Sequence, residues 1–188
     1  MTSTTTSTTL PAGVTPGTWA VETSHSRAGF TVRHAGISKV HGSVAITGGQ
    51  IVIGETLEAS SVVATLDPAT VETGAEQRDA HLRSADFFEV ETYPTWEFRS
   101  TAVRVDGDDF AIDGDLTIRG TTRPVTLRTT FEGAATDPFG AARLGATATV
   151  EISRKDFGLT WNAALETGGV LVADKVTITL DIEAVAQA

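Results

Sequence analysis

With 188 residues, no cysteine and a formal net charge of −10, the chain is sized for one domain and cannot build disulfides or thiolate sites. Its acidity disfavours phosphate backbones and anionic surfaces, and the linear sequence shows no Lys/Arg cluster to offset it, so nucleic acid is excluded as a partner. A chain of this length buries about 70% of its unfolded surface, enough for a sizeable core.

Thr2 to Thr9 are all Ser or Thr, and residues 1–15 read as a disordered Ser/Thr-rich tail. Residues 16–188 read as the folded domain. The start carries neither a basic segment nor an apolar run of signal-peptide type, which points to a cytoplasmic protein. No stretch approaches 18 apolar residues, so stable membrane insertion is not expected.

From Gly17 onward apolar and polar residues alternate. Early strand candidates are 18–22, 27–34, 40–47, 50–53 and 58–66, with Gly48-Gly49 as a turn between two of them. Thr73-Gly74-Ala75-Glu76 has the spacing of a capping box. It introduces a short helix over 78–83, with Asp79 and Arg83 placed to pair at i, i+4. The connection over 84–93 carries Phe87, Phe88 and Tyr93, followed by Pro94. A strand over 95–105 follows, then a turn at Asp106-Gly107. The clearest alternation sets Phe110, Ile112, Gly114, Leu116 and Ile118 on one face, and Arg119-Gly120 ends it. Val125, Leu127, Thr129 and Phe131, then Leu144, Ala146, Ala148, Val150 and Ile152, then Val176, Ile178, Leu180 and Ile182 repeat the pattern. Period two over such lengths means strands with one wet face. About eight to ten of them at hairpin spacing predict an all-β sandwich or antiparallel barrel. A barrel is preferred because closure removes exposed strand edges. One or two short helices would lie at its mouth.

The inward faces leave two readings open. Gly42, Gly114, Ala146 and Ala148 are small where a filled core favours larger side chains, which suggests a hollow lumen. The same alternation of small and large residues would also fit a tapering, filled core. In the hollow reading the lumen is lined by Phe30, Val32, Val44, Phe87, Phe88, Tyr93, Trp96, Phe98, Gly114, Leu116, Leu127, Phe131, Ala146 and Ala148.

Catalytic signatures are missing: the sequence has no phosphate loop, nucleophile elbow, His-Glu-x-x-His or calcium loop. His25, His34, His41 and His81 lack the spacing of a metal motif, and neither a metal nor a catalytic residue is assigned. Arg78, Asp79 and His81 fit a salt-bridged helix better than acid–base work.

Several blocks, in order, resemble the YceI-like family. They are Trp19-Ala20-Val21 with His25-Ser26, Phe30, Val32 and His34; Gly42; Arg78 to Phe88, written RDAHLRSADFF; Tyr93-Pro94; Phe98-Arg99-Ser100; Gly114 to Gly120; Pro124-Val125; Ile152 to Gly158, written ISRKDFG; and Asp174-Lys175-Val176. The resemblance spans about 17–184. It implies an extended lipocalin-like β-barrel of about eight strands and association with polyisoprenoid chains, such as those of quinones or prenyl phosphates. It carries over no catalytic residue. His34, Arg78 and His81 are then the mouth residues that would meet a head group. The function expected is carriage, storage or sequestration of such a lipid, with no cofactor beyond the lipid itself. The alternatives are a stress-response scaffold barrel with no ligand, or a histidine-dependent enzyme on an apolar substrate. A homodimer stays open.

Overall fold

The computed structural model describes residues 9–188. Among these residues nine strands form one antiparallel sheet. They are β1 (Gly17–Val21), β2 (Arg27–His34), β3 (Ser38–Ile53), β4 (Ser61–Glu72), β5 (Trp96–Asp106), β6 (Asp109–Ile118), β7 (Thr121–Thr136), β8 (Ala142–Ser153) and β9 (Val172–Ala186). Neighbouring strands pair in the cyclic order β2-β9-β8-β7-β6-β5-β4-β3 and back to β2. The sheet therefore closes into an eight-stranded barrel.

The ninth strand adds no stave. β1 pairs with Gln50–Ile53 of β3 and with Ala184–Ala186 of β9. β2 occupies the same slot lower down, against Ser38–Val44 and Val172–Asp181. The break between them is bridged by Ser26, whose hydroxyl donates to the Glu183 carbonyl and accepts from the Glu183 amide.

Most turn chemistry acts as expected. Arg119 and Gly120 both have positive φ, 49° and 68°, the conformation that suits the right-handed twist of a tight hairpin. Gly107, at φ 68°, turns β5 into β6. Gly48-Gly49 does not turn. It lies inside the sixteen-residue β3, where the pairing with β4 shifts register between Ile46 and Gly48. Here the glycines bend a long strand rather than end it.

The helix α1 (Glu76–Arg83) forms, but not by the expected cap. Its N-cap is Ala75, with no side-chain cap bond. The Thr73 hydroxyl and amide both donate to Asp79 Oδ1, and Asp79 is buried. Arg83 does not pair with Asp79; its guanidinium donates to the Ala69 and Val71 carbonyls of β4. Tertiary contacts displace both local motifs because a buried carboxylate needs donors close by.

The two barrel ends differ. At one, Trp19 is 1% exposed and clusters with Leu144 and Ala184, with Val14 and Phe131 packed against them. The Trp19 indole donates to the Thr15 carbonyl at 3.2 Å. Val14 and Thr15, read as tail, thus touch the barrel; residues 1–8 of that tail lie outside the described residues. At the other end, Phe87, Phe88, Trp96, Ile118, Ile152, Phe157 and Leu159 form a second cluster beneath α1 and its neighbours.

A lidded apolar lumen

Between the two clusters lies a cavity of about 230 Å³. Every strand contributes to its wall, from Val21 on β1 and Phe30 on β2 to Ala148 on β8 and Ile178 on β9. The wall is apolar because each strand turns alternate residues inward and nearly all of those residues are aliphatic or aromatic, Thr129 and Arg154 being the polar exceptions.

Eleven of the expected lining residues stand in this wall: Phe30, Val32, Val44, Phe87, Phe88, Trp96, Phe98, Leu116, Leu127, Ala146 and Ala148. Three stand elsewhere. Gly114 faces inward, but the Phe98 ring from the adjacent strand covers it; a Cβ there would lie 2.5 Å from the ring. Gly42 is covered by Phe30 in the same way, at 2.3 Å. These glycines make room for rings and not for a ligand, whereas Ala146 and Ala148 border open volume. Phe131 packs in the plug at the Trp19 end. Tyr93 lies over the turn at Gly120, where a Cβ would meet its ring at 2.6 Å.

The lid is built from α1, the connection over 84–95 and a strap over 158–171. The connection folds back on the helix: the Phe88 amide donates to the Leu82 carbonyl, and the Val90 amide to that of Arg83. This turns Phe87 and Phe88 inward. Phe88 meets Trp96 edge-on, with centroids 4.7 Å apart. The Trp96 Nε1 is buried without a hydrogen-bond partner among the described residues. Phe87 lies 5.3 Å from Trp161 of the strap, and the His81 ring stands edge-on to both at 5.0 and 4.7 Å. His81 Nε2 donates to Asp86 at 2.8 Å.

Two arginines hold the lid down. Arg154, in the 3-10 turn Arg154–Phe157 after β8, is 3% exposed. Its guanidinium donates to the carbonyls of Leu159, Trp161, Val172 and Ala173. At Leu159 and Trp161 it supplies partners that strap backbone lacks away from a ladder, and at Val172 and Ala173 it ties the strap's end to the start of β9. Burial pushes its pKa down, and the Asp174 charge opposes that. The Ser153 hydroxyl in turn holds the Asp174 carboxyl below its usual value, aided by the Lys155 amide. Arg119 donates to Gly158 O, Ala85 O and the Glu89 carboxylate at 2.9, 3.0 and 2.9 Å. Both Arg119 and Glu89 have positive φ, a conformation that costs about 1 kcal/mol or more for a side-chain-bearing residue.

The expected mouth residues separate. His81 belongs to the aromatic lid. His34 is exposed at the end of β2, and Arg78 is committed to Thr73 through its side-chain and main-chain oxygens at 2.7 and 2.8 Å. His25 stands near Glu183, and His41 bonds Thr31. Among the described residues no three His, Asp or Glu side chains gather in a metal-holding group. Arg154 and Trp161 were not singled out from the sequence. The available signal was Arg154 at the end of an inward-facing strand, a charge where the pattern places apolar residues.

The chain matches the YceI-like domain over residues 19–184. It is 40% identical over 139 residues to Protein YceI of Escherichia coli O17:K52:H18, covering 73% of each chain. Its fold is similar to that of BcnA from Burkholderia cenocepacia, with TM-score 0.74, 21% identity and coverage of 87% of this chain and 98% of that one. It is also similar to a structure described as a polyisoprenoid binding domain from Saccharophagus degradans, with TM-score 0.66, 16% identity and coverage of 92% and 100%. The lidded apolar barrel and these matches together place the chain in the YceI-like domain family.

Proposed function

We propose that the protein binds the chain of a long isoprenoid lipid inside the barrel, for carriage, storage or sequestration, and that it is not an enzyme. The observation that carries this reading is the closed barrel around a continuous apolar cavity of about 230 Å³. The resemblance of the fold to a described polyisoprenoid binding domain supports the choice of lipid. A cavity of roughly 150 Å³ accommodates a benzene ring, so on that scale the resting lumen takes about two isoprene units. At about 0.8 kcal/mol per buried CH2, two units contribute roughly 8 kcal/mol. Association itself costs at least about 4 kcal/mol, so retention requires a longer chain. Such a chain enters by displacing the lid aromatics Phe87 and Phe88, which are held by edge contacts and by the Arg119–Glu89 pair. The wall offers shape and hydrophobic area with little head-group discrimination, and His81 is the polar side chain of the lid best placed to meet a head group.

The test is native mass spectrometry of the purified protein followed by organic extraction, with titration of a prenyl quinone into delipidated protein. A co-purifying isoprenoid and saturable binding are expected. Absence of both, in protein shown by circular dichroism to be folded, means a scaffold barrel instead.

A further inference from the structure

We propose that the lidded end of the barrel docks on an anionic lipid bilayer, through the β2–β3 hairpin tip and the neighbouring turn of the strap. All 24 carboxylate side chains lie outside residues 23–54. That segment, which spans β2 and β3, carries Arg27, Arg33 and Lys39 and three of the four histidines. The overall charge of −10 hides this, because only folding gathers the segment onto one side of the barrel.

The hairpin tip concentrates the effect. Arg33 and Lys39 are direct cross-strand partners, and His34 pairs with Ser38. All three cationic or titratable residues are exposed, and among the described residues Arg33 and Lys39 have no ion-pair partner. Like charges directly opposite on a ladder destabilise it. Among the described residues no carboxylate pairs with either cation, whereas an anionic surface would compensate both.

Apolar side chains project beside the cations. Ile37, at the turn, is 86% exposed and Val170 is 51% exposed. The two segments are tied together by the Ala35 amide, which donates to the Leu171 carbonyl at 2.7 Å. The strap turn around Val170 is itself ordered by the Leu165 amide bonding the Gly169 carbonyl. Cations flanking protruding aliphatic side chains match a bilayer, which offers phosphate charge at the surface and hydrocarbon just beneath. Screening confines the opposing effect to carboxylates near the tip, the Debye length being about 8 Å at physiological ionic strength; the exposed Asp86 of the lid shares this end of the barrel. Glu166, on the strap turn, opposes docking. The same end carries the lid, so docking presents the lumen to the membrane, although the proposal itself is independent of what fills the lumen.

The experiment is flotation of the delipidated full chain with vesicles of phosphatidylcholine containing about a third phosphatidylglycerol, free of isoprenoid, against vesicles of phosphatidylcholine alone. Binding to the anionic vesicles only, weakened by salt, is expected. Each cation near such a surface contributes roughly fivefold, so Arg33→Gln with Lys39→Gln lowers partitioning about 30-fold. Ile37→Ser with Val170→Ser also lowers it, and Glu166→Gln raises it. The Arg33→Gln/Lys39→Gln variant melts at the same or a higher temperature, since a repulsive pair is removed, and its binding of a prenyl quinone in solution is unchanged. Wild-type protein that does not float with anionic vesicles overturns the proposal. So does flotation that survives both double substitutions.

Discussion

Ala148→Phe separates a lumen built to be filled by a ligand from a core already filled by side chains. Ala148 sits on β8 between Thr129 of β7 and Leu180 of β9 and faces the cavity. A benzene ring needs about 150 Å³, so a phenyl group at this position consumes roughly two-thirds of the 230 Å³ available. It displaces about five or six carbons of a bound chain. At about 0.8 kcal/mol each, the loss is on the order of 4 kcal/mol, close to a thousandfold in affinity. The apo protein should lose little stability, because the ring enters empty apolar space. In a filled core the same substitution overpacks and costs about 1–3 kcal/mol. For a domain this size that lowers Tm by roughly 2–12 °C. Calorimetric titration with a prenyl quinone and a thermal melt of the same preparation read both quantities. A sharp fall in Tm with unchanged affinity refutes the lumen; lost affinity with a steady Tm establishes it.

Other consequences follow from the same geometry. Gly114→Ala drives a Cβ into the Phe98 ring and, at 2.7 Å, into the Arg99 carbonyl, and should destabilise by about 1–3 kcal/mol in urea unfolding; pairing it with Phe98→Leu should recover the ring's share of that loss and leave the carbonyl's, and strict additivity would refute the ring-over-glycine account. Glu89→Gln removes the carboxylate that holds Arg119, so ligand exchange measured by stopped-flow transfer to vesicles should quicken several-fold with little change in the cavity; an unaltered off-rate means the pair does not restrain the lid. Asp137 is held below its usual value by Arg143 and by the Ala141 and Phe139 amides. A depressed folded-state pKa gives stability that is complete above the unfolded value, near 3.8, and lost as pH falls through the lower folded value. Asp137→Asn should therefore flatten the part of an acid stability profile that lies below the unfolded value, and an unchanged slope there counts against the assignment.

Much of this molecule is legible as periodicity. The alternating runs specify which residues of β6 to β9 face inward, and hence the apolar wall, because a strand has only two faces. Hairpin turns at Asp106-Gly107 and Arg119-Gly120 are legible for the related reason that a tight turn demands positive φ and glycine supplies it without strain. The order of blocks shared with the YceI-like family extends that reading to the closed barrel.

What periodicity cannot carry is the meeting of residues distant in sequence. Gly114 and Gly42 read as free volume, yet rings from neighbouring strands occupy the space, and only strand register puts Phe98 and Phe30 there. The Gly48-Gly49 pair reads as a turn, but register with β4 makes it a bend. Thr73 and Asp79 have local partners in sequence and choose each other because burial of Asp79 outweighs a cap at an exposed helix start. Arg154 has no partner nearby on β8; two of its four carbonyls come from the strap and two from the start of β9, so its role exists only once the strap has folded over the barrel and led into β9. The opposed Arg33 and Lys39, six residues apart in a chain of strongly negative charge, become one exposed basic tip only through the hairpin. Local sequence thus sets the faces and turns, since those depend on backbone geometry alone. Closure and register decide which space stays empty and which charges stand together, since those depend on where other strands arrive.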